Sequence, residues 1–353
     1  MSEETRKLAS IRVVDSLEPI DGADKIELAK VGGWQVVTQK GWASPRKLVI
    51  FFEVDSFLPV DPRFEFLRKS GFKSTKNLGD GFRLKTIKLR KTLSQGLIMP
   101  LEEFPEVLEA SDGLDVTELL KVQKYEKPIP ASMTGRVRGN YPMFIRKTDQ
   151  ERAQNMLKEI KNEIGGLLFE VSLKLDGSSM TVYRNEDYTG VCSRNWDLDQ
   201  NEELSERRDV FWTCANLHNL PGIVERMQMD LGRNLALQGE LMGPGVQGNR
   251  EKLNQLEFYL FDIWDIDKQA YVSPDERHYL AKAYNLQQVP MIGFYYLQDI
   301  LKEDSIIDDL QTLSDRSSIN NDVRAEGLVF KRVSLERMSF KIINNQFLLE
   351  NDE

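Results

Sequence analysis

Cysteine and histidine are scarce, with 2 of each in 353 residues. Cys192 and Cys214 cannot form a disulfide framework for a chain of this length, which points to a reducing compartment, the cytoplasm or another intracellular space. His218 and His278 share no familiar spacing with those cysteines, so a conventional zinc site is excluded as well. Long apolar runs are also missing. None approaches the roughly 18 residues of a membrane span. The opening MSEETRKLAS lacks an apolar leader core, so neither a membrane partner nor a secretory leader is expected. Positive charge is in deficit, 47 Lys and Arg against 56 Asp and Glu, for a net charge of −9. That sum counts mildly against a nucleic-acid partner. Binding follows the local field, however, and carboxylates that hold metal ions enter the same total.

What is present fits a globular protein, 41% apolar and 29% charged. The chain exceeds what one core usually organises, so two domains are expected, residues 1–125 and 126–353. In the first, IRVVDSLEPI, KIELAKVGGWQVVTQKG, KLVIFFEVDSFLPV, FRLKTIKLRK and SQGLIMPL read as strands separated by Pro, Gly and Asp turns. That many strands in so short a stretch predict a small barrel, with an OB-fold the most economical choice. A short acidic helix is expected near Pro105 to Leu120, then a linker rich in Pro, Gly, Lys and Arg up to Pro142. The stretch from Lys69 to Lys91 is basic, with Phe72 and Phe82 interleaved. It reads either as a phosphate track or as the solvated face of a strand pair.

The second domain carries the chemistry. Lys174-Leu175-Asp176-Gly177 stands in the run FEVSLKLDGSSMTVYR. Val171 and Leu173 before it, and Met180, Val182 and Tyr183 after it, predict two strands joined by a turn at Asp176-Gly177. A lysine at the end of a half-buried strand is costly unless it meets a partner or performs a reaction, and a deprotonated lysine is a nucleophile. Taken alone, these four residues fit a hairpin with a surface lysine better. They are followed by Cys192-Ser193-Arg194-Asn195, by Gln238-Gly239-Glu240-Leu241 with the loop GPGVQGN, and by FYLFDIWDID around Phe261 and Asp262. Glu326-Gly327-Leu328-Val329-Phe330-Lys331 and Ser339-Phe340-Lys341-Ile342-Ile343-Asn344 come last. Thr148 or Asp149 is expected to cap a helix that carries Arg152 and runs to Ile164. Residues 203–229 read as a helical insert with apolar positions at Leu204, Val210, Phe211, Cys214 and Leu217. Strands with helices outside them give an α+β domain.

In this order the segments resemble motifs I, Ia, III, IIIa, IV and V of the covalent nucleotidyltransferase superfamily, which contains RNA ligases, DNA ligases and mRNA capping enzymes. The similarity extends from about residue 142 to residue 349. DNA ligases and capping enzymes carry an OB domain after motif V, whereas here nine residues follow Asn344 and the extra module comes first. The layout looks like ATP-dependent RNA ligases, closest to the Naegleria-type branch with an N-terminal OB module. The resemblance implies RNA repair, joining RNA 3′-OH and 5′-phosphate ends through lysyl-AMP and adenylylated RNA, with ATP and Mg²⁺ or Mn²⁺.

Carried over by motif, Lys174 would be the nucleophile, with Lys331 and Lys341 on the α-phosphate. Asp176, Glu240 and Glu326 would surround the metal's hydration shell, Glu240 alternatively touching the ribose, and Gly177 would adjoin the nucleotide. Phe261 would stack on the adenine, or belong to the core. Arg194 and Asn195 would orient ribose or phosphate, and Arg152 would contact phosphate or lie on a helix surface. The backbone at Ser172 and Leu173 would read the adenine edge. RNA contacts fall to Arg83, Lys85 and Lys88 in the basic stretch and to Gln247 and Asn249 in the GPGVQGN loop. Two departures stand out. Ser339 and Ile343 flank Lys341 where many relatives place a second lysine, and Leu173 precedes the nucleophile where some carry a polar residue. The alternatives are a DNA or mixed-substrate nick ligase and a non-catalytic RNA-binding protein on a ligase scaffold. A monomer is expected, and no protein partner is legible.

Overall fold

A computed structural model describes residues 6–75, 77–125, 137–166, 168–200, 209–334 and 338–351. The chain divides into two compact units, Met1–Ile129 with Leu348–Glu353, and Pro130–Phe347.

The first unit is almost entirely β. Its central strand, Leu48–Phe52, pairs on one side with Ala9–Val13 and on the other with Leu97–Pro100. The uninterrupted apolar run LVIFF is explained by this position, because both faces are covered. Ile50 and Phe52 enter one core with Ile11, Phe64 and Phe82, while Val49 and Phe51 enter a second with Trp34, Val36 and Ile98. The period of two along a strand thus feeds two cores from one segment. Further strands form the sheet Ser16–Pro19, Ile26–Val31, Trp34–Gln39 and a four-stranded sheet that includes Phe72–Thr75 and Gly79–Arg83.

The basic stretch folds as two hairpins. Phe72 and Phe82 face each other across the first, with ring centroids 5.9 Å apart, so these aromatics serve the core and form no stacking track. The second, Ile87–Leu89 with Thr92–Ser94, turns at Arg90 and Lys91 with φ of 50° and 66°. The acidic helix expected at Pro105–Leu120 does not form. Asp112-Gly113 makes a turn, with Gly113 at φ 83°, and the backbone then runs against the first strand. The Ile11 and Val116 amides donate to Leu114 and Ala9 carbonyls at 2.9 Å. The expected linker starts and ends as strand: Gln123–Lys124 pairs with Ser56–Pro59, and Val137–Asn140 with Trp196–Leu198. Residues 126–136 lie outside the described residues.

Two sheets organise the second unit. The seven-stranded sheet runs in the order Val137–Asn140, Trp196–Leu198, Tyr188–Cys192, Ser178–Asn185, Leu235–Met242, Glu257–Asp265, Ala270–Tyr271. The five-stranded sheet is ordered Glu151–Arg152, Ser339–Ile343, Gly327–Arg332, Leu168–Lys174, Met291–Tyr296. Phe169, Val171 and Leu173 of one sheet share a core with Met242 and Tyr259 of the other. Helices Val210–Leu217 and Leu220–Leu231 cover the far face of the larger sheet through Cys214, Ala215, Val224 and Met227.

Three local expectations change. The segment at Asp176-Gly177 is no hairpin turn: Leu168–Lys174 and Ser178–Asn185 belong to different sheets, and the connection crosses between them. The helix start at Thr148 or Asp149 is absent because both side chains are used elsewhere, Thr148 Oγ1 with Ser179 Oγ at 2.6 Å and Asp149 with Arg194. Arg152 instead lies on a short strand parallel to Ser339–Ile343, directly beside Lys341, and the α-helix begins at Leu157. The insert is two helices, broken at Asn219 with φ 50°; Leu217 is 54% exposed, and Leu204 lies outside the described residues.

Gly327 is a point of closest approach in the five-stranded sheet. A Cβ there would sit 1.9 Å from the Ile342 carbonyl oxygen, so the strand pair has no room for a side chain. Gly327→Ala should cost about 1–3 kcal/mol through overpacking. Urea denaturation should show a lower midpoint with an unchanged slope.

Candidate active site

Lys174 ends its strand opposite Gly327, and Glu326 immediately precedes that glycine. Register therefore brings carboxylate to amine. Nζ donates to Glu326 Oε2 at 2.6 Å, with the side chains 25% and 16% exposed. Burial alone would favour the neutral lysine, but the Glu326 and Glu240 carboxylates outweigh it and hold the pKa above its ordinary value. In the ligand-free protein Lys174 is an ammonium. The neutral amine that nucleophilic attack requires has to be generated on binding.

Glu240 comes from the other sheet, on Leu235–Met242 opposite Ser179, and accepts the Gly177 amide at 3.0 Å. Burial pushes its carboxyl up to about 7, Lys174 opposes this, and Glu326 and Asp176 add to it by repulsion. Asp176 is raised too, by burial and by Glu326, against the pull of Arg250 at 3.3 Å. Arg250 was not foreseen, although it stands directly after GPGVQGN. Its guanidinium lies 4.4 Å from the Phe347 ring centroid. The repulsion that Glu326 exerts on both Glu240 and Asp176 suits a cation. Among the described residues no three acidic, histidine or cysteine side chains converge closely enough to chelate one directly. Asp176, Glu240 and Glu326 therefore fit an ion that keeps its waters, as Mg²⁺ prefers.

The opposite wall is positive. Lys341 lies on Ser339–Ile343 beside Arg152, and burial lowers its pKa to about 7, aided by Lys174 and Arg152. Arg194 pairs with Asp149 at 2.7 Å and is 60% exposed. Asn195 receives the Tyr141 amide on its backbone carbonyl at 3.0 Å. Lys331 is nearly buried, donating to the Phe261 carbonyl at 2.6 Å and lying 3.1 Å from Asp262. Phe261 itself is half-buried, whereas its neighbours Tyr259 and Ile263 are buried. Ser172 is buried, and the Leu173 amide donates to Pro290 at 2.9 Å, so that amide is committed to the protein.

The RNA candidates differ in availability. Lys85, Lys88 and Gln247 are exposed. Arg83 is half-buried, 4.4 Å over the Tyr125 ring and 3.9 Å from Asp55. The Asn249 side chain closes its own loop through the Leu253 carbonyl and amide at 2.9 and 3.0 Å.

Comparison with known proteins matches this layout. A family described as an OB-fold domain covers residues 8–101, and one described as RNA ligase covers 168–343. No curated protein matches the chain. A ligand-free lysine-to-alanine mutant of Naegleria gruberi RNA ligase superimposes with a TM-score of 0.83 at 40% identity, over 98% of this chain and 99% of that one. The chain belongs to the RNA ligase family. A mutant of the same Naegleria enzyme with ATP and Mn has the same TM-score, identity and coverage. That enzyme with PPi gives 0.81 at 41% identity, again over 98% and 99%. This RNA ligase thus pairs an N-terminal OB fold with a ligase domain of mixed helices and antiparallel sheets. Among the described residues, no helix is long and apolar enough to cross a membrane.

The titration of Glu240 in the ligase can be tested directly. A carboxyl whose folded pKa is raised stabilises the fold most below its ordinary value, and that contribution disappears as pH rises through about 7. The uncharged isostere Glu240→Gln should therefore melt above the parent at about pH 8, with the gap closing toward about pH 5. Differential scanning calorimetry across that range measures it.

Proposed function

We propose that the enzyme is an ATP-dependent RNA ligase in which Lys174 Nζ attacks the α-phosphorus of ATP. An N–P bond forms, the P–O bond to pyrophosphate breaks, and a lysyl-AMP results; the AMP then passes to an RNA 5′-phosphate before the 3′-OH closes the break. The observation that carries this reading is the 2.6 Å pair between Lys174 and Glu326 at the mouth of two neighbouring strands. Glu326 would take the ammonium proton, and Lys341, within electrostatic reach of Lys174, and its strand neighbour Arg152 would receive the phosphates. Anion binding would keep Lys341 charged, reversing the effect of its burial. Lys331 supports the α-phosphate, Phe261 offers a ring to the adenine, and Arg194 and Asn195 orient ribose or phosphate. Mg²⁺ or Mn²⁺, held through its waters by Asp176, Glu240 and Glu326, would offset charge on the phosphates.

We place the division of labour near residue 125, with RNA binding shared between the N-terminal module and the catalytic domain. Lys85, Lys88 and Gln247, all exposed, would contact RNA, while Arg83 and Asn249 would shape the surfaces that present them. Both cysteines are free and buried, which suits a reducing intracellular compartment. The enzyme would act as a monomer.

Incubation with α-labelled ATP and a divalent cation should leave an acid-labile label on the protein, abolished in Lys174→Ala. Label that survives the substitution, or forms equally with GTP, would remove Lys174 or the adenine site from this reading. On nicked duplexes, sealing should require ribonucleotides at the 3′-OH end, because the 2′-OH is the group that distinguishes RNA from DNA. Equal rates on an all-DNA nick would favour the mixed-substrate reading.

A further inference from the structure

A chain of four charges, three of which take no part in the chemistry proposed for the site, runs through the interior to Lys331. Glu170 is 2% exposed, Arg277 3%, Asp262 1% and Lys331 4%. Arg277, on the helix Pro274–Ala283, donates through Nη2 to Glu170, and its Nη1 lies 3.5 Å from Asp262 Oδ1. The same Asp262 oxygen lies 3.1 Å from Lys331 Nζ. Glu170 and Lys331 are direct partners across neighbouring strands, and Glu170 shares its strand with Lys174.

Stability does not account for this arrangement. Each buried ion costs several kcal/mol in lost hydration, and well-packed apolar side chains would serve the core as well or better. The network is also incompletely satisfied, since Arg277 Nε and Glu170 Oε2 make no hydrogen bond. What the chain does accomplish is a balance of charge around one oxygen. Asp262 Oδ1 serves both Arg277 and Lys331, so neither cation holds it alone. Without Arg277, Glu170 and Asp262 would lose the guanidinium they share, and Lys331 would be drawn more strongly onto Asp262 and away from any phosphate.

We propose that Arg277 is a positioning residue for Lys331: by sharing Asp262, it weakens that carboxylate's pull on the lysine ammonium, which can then turn toward the nucleotide. This rests on the role given above to Lys331. In full-length Arg277→Met, single-turnover self-adenylylation should slow by roughly 10–100-fold, the range seen when the outer partners of a functional group are removed. ATP affinity should change by much less. Combined with Lys331→Met, the substitution should add no further loss, because both act through one group. Arg277→Lys, which keeps a cation beside Asp262, should recover most of the rate. Losses that multiply in the double variant, or a full rate in Arg277→Met, would overturn the inference. If the methionine variant does not fold, the same cycle is run with Arg277→Lys. Its smaller loss should again vanish on the Lys331→Met background, and a loss that persists there overturns the inference. A full rate in Lys331→Met alone would remove both the role of Lys331 and this inference. A slow Lys331→Met beside an unimpaired Arg277→Met would remove this inference alone.

Discussion

The ion pair between Lys174 and Glu326 is the constraint around which the catalytic domain is arranged. It exists because strand register sets the last residue of one strand against the first of the next. On its other side Gly327 lets the strand Ser339–Ile343 approach, where Ile342 leaves no room for a side chain. A half-buried ammonium without a partner would be too costly to keep, and a lysine left in water would not be oriented. Pairing it with Glu326, the carboxylate proposed to accept its proton, meets both needs.

Around the pair the site is polarised. Carboxylates from two sheets and basic groups gather there, and Glu240, Asp176 and Lys341 are each displaced in the direction that an arriving counter-ion reverses. At Glu240 alone the displacement to about 7 corresponds to on the order of 3 kcal/mol that a bound cation can recover. The ligand-free protein thus holds electrostatic energy in place, ready for a nucleotide and its metal, and needs little rearrangement to use it.

Much of this was legible in the chain because the candidate residues stand in short segments whose order along the chain can be read. Partners were not legible. Alternation along FEVSLKLDGSSMTVYR announces two strands but says nothing of their sheets, and the nearest neighbour in sequence proved not to be the neighbour in space. Thr148 and Asp149 have the chemistry of helix caps, yet tertiary hydrogen bonds claim them first. The acidic segment after Pro105 has helix-compatible composition but is held extended by the first strand. Arg250 and Arg277 escaped notice for the same reason. A charge acquires its role from what it meets after folding: Arg250 lies 74 residues from Asp176, and Arg277 lies 107 from Glu170.

The crossing at Leu175-Asp176-Gly177 gives the site one fixed jaw and one adjustable jaw. Lys174 and Glu326 ride on the same sheet, so their separation is locked by backbone hydrogen bonds. Glu240 rides on the other, and its distance from them depends on how the two sheets face one another. A small slide across the apolar layer they share would retune the carboxylate spacing without touching the nucleophile. Register thus sets the spacing of Glu326 from the lysine, and the packing between sheets sets that of Glu240.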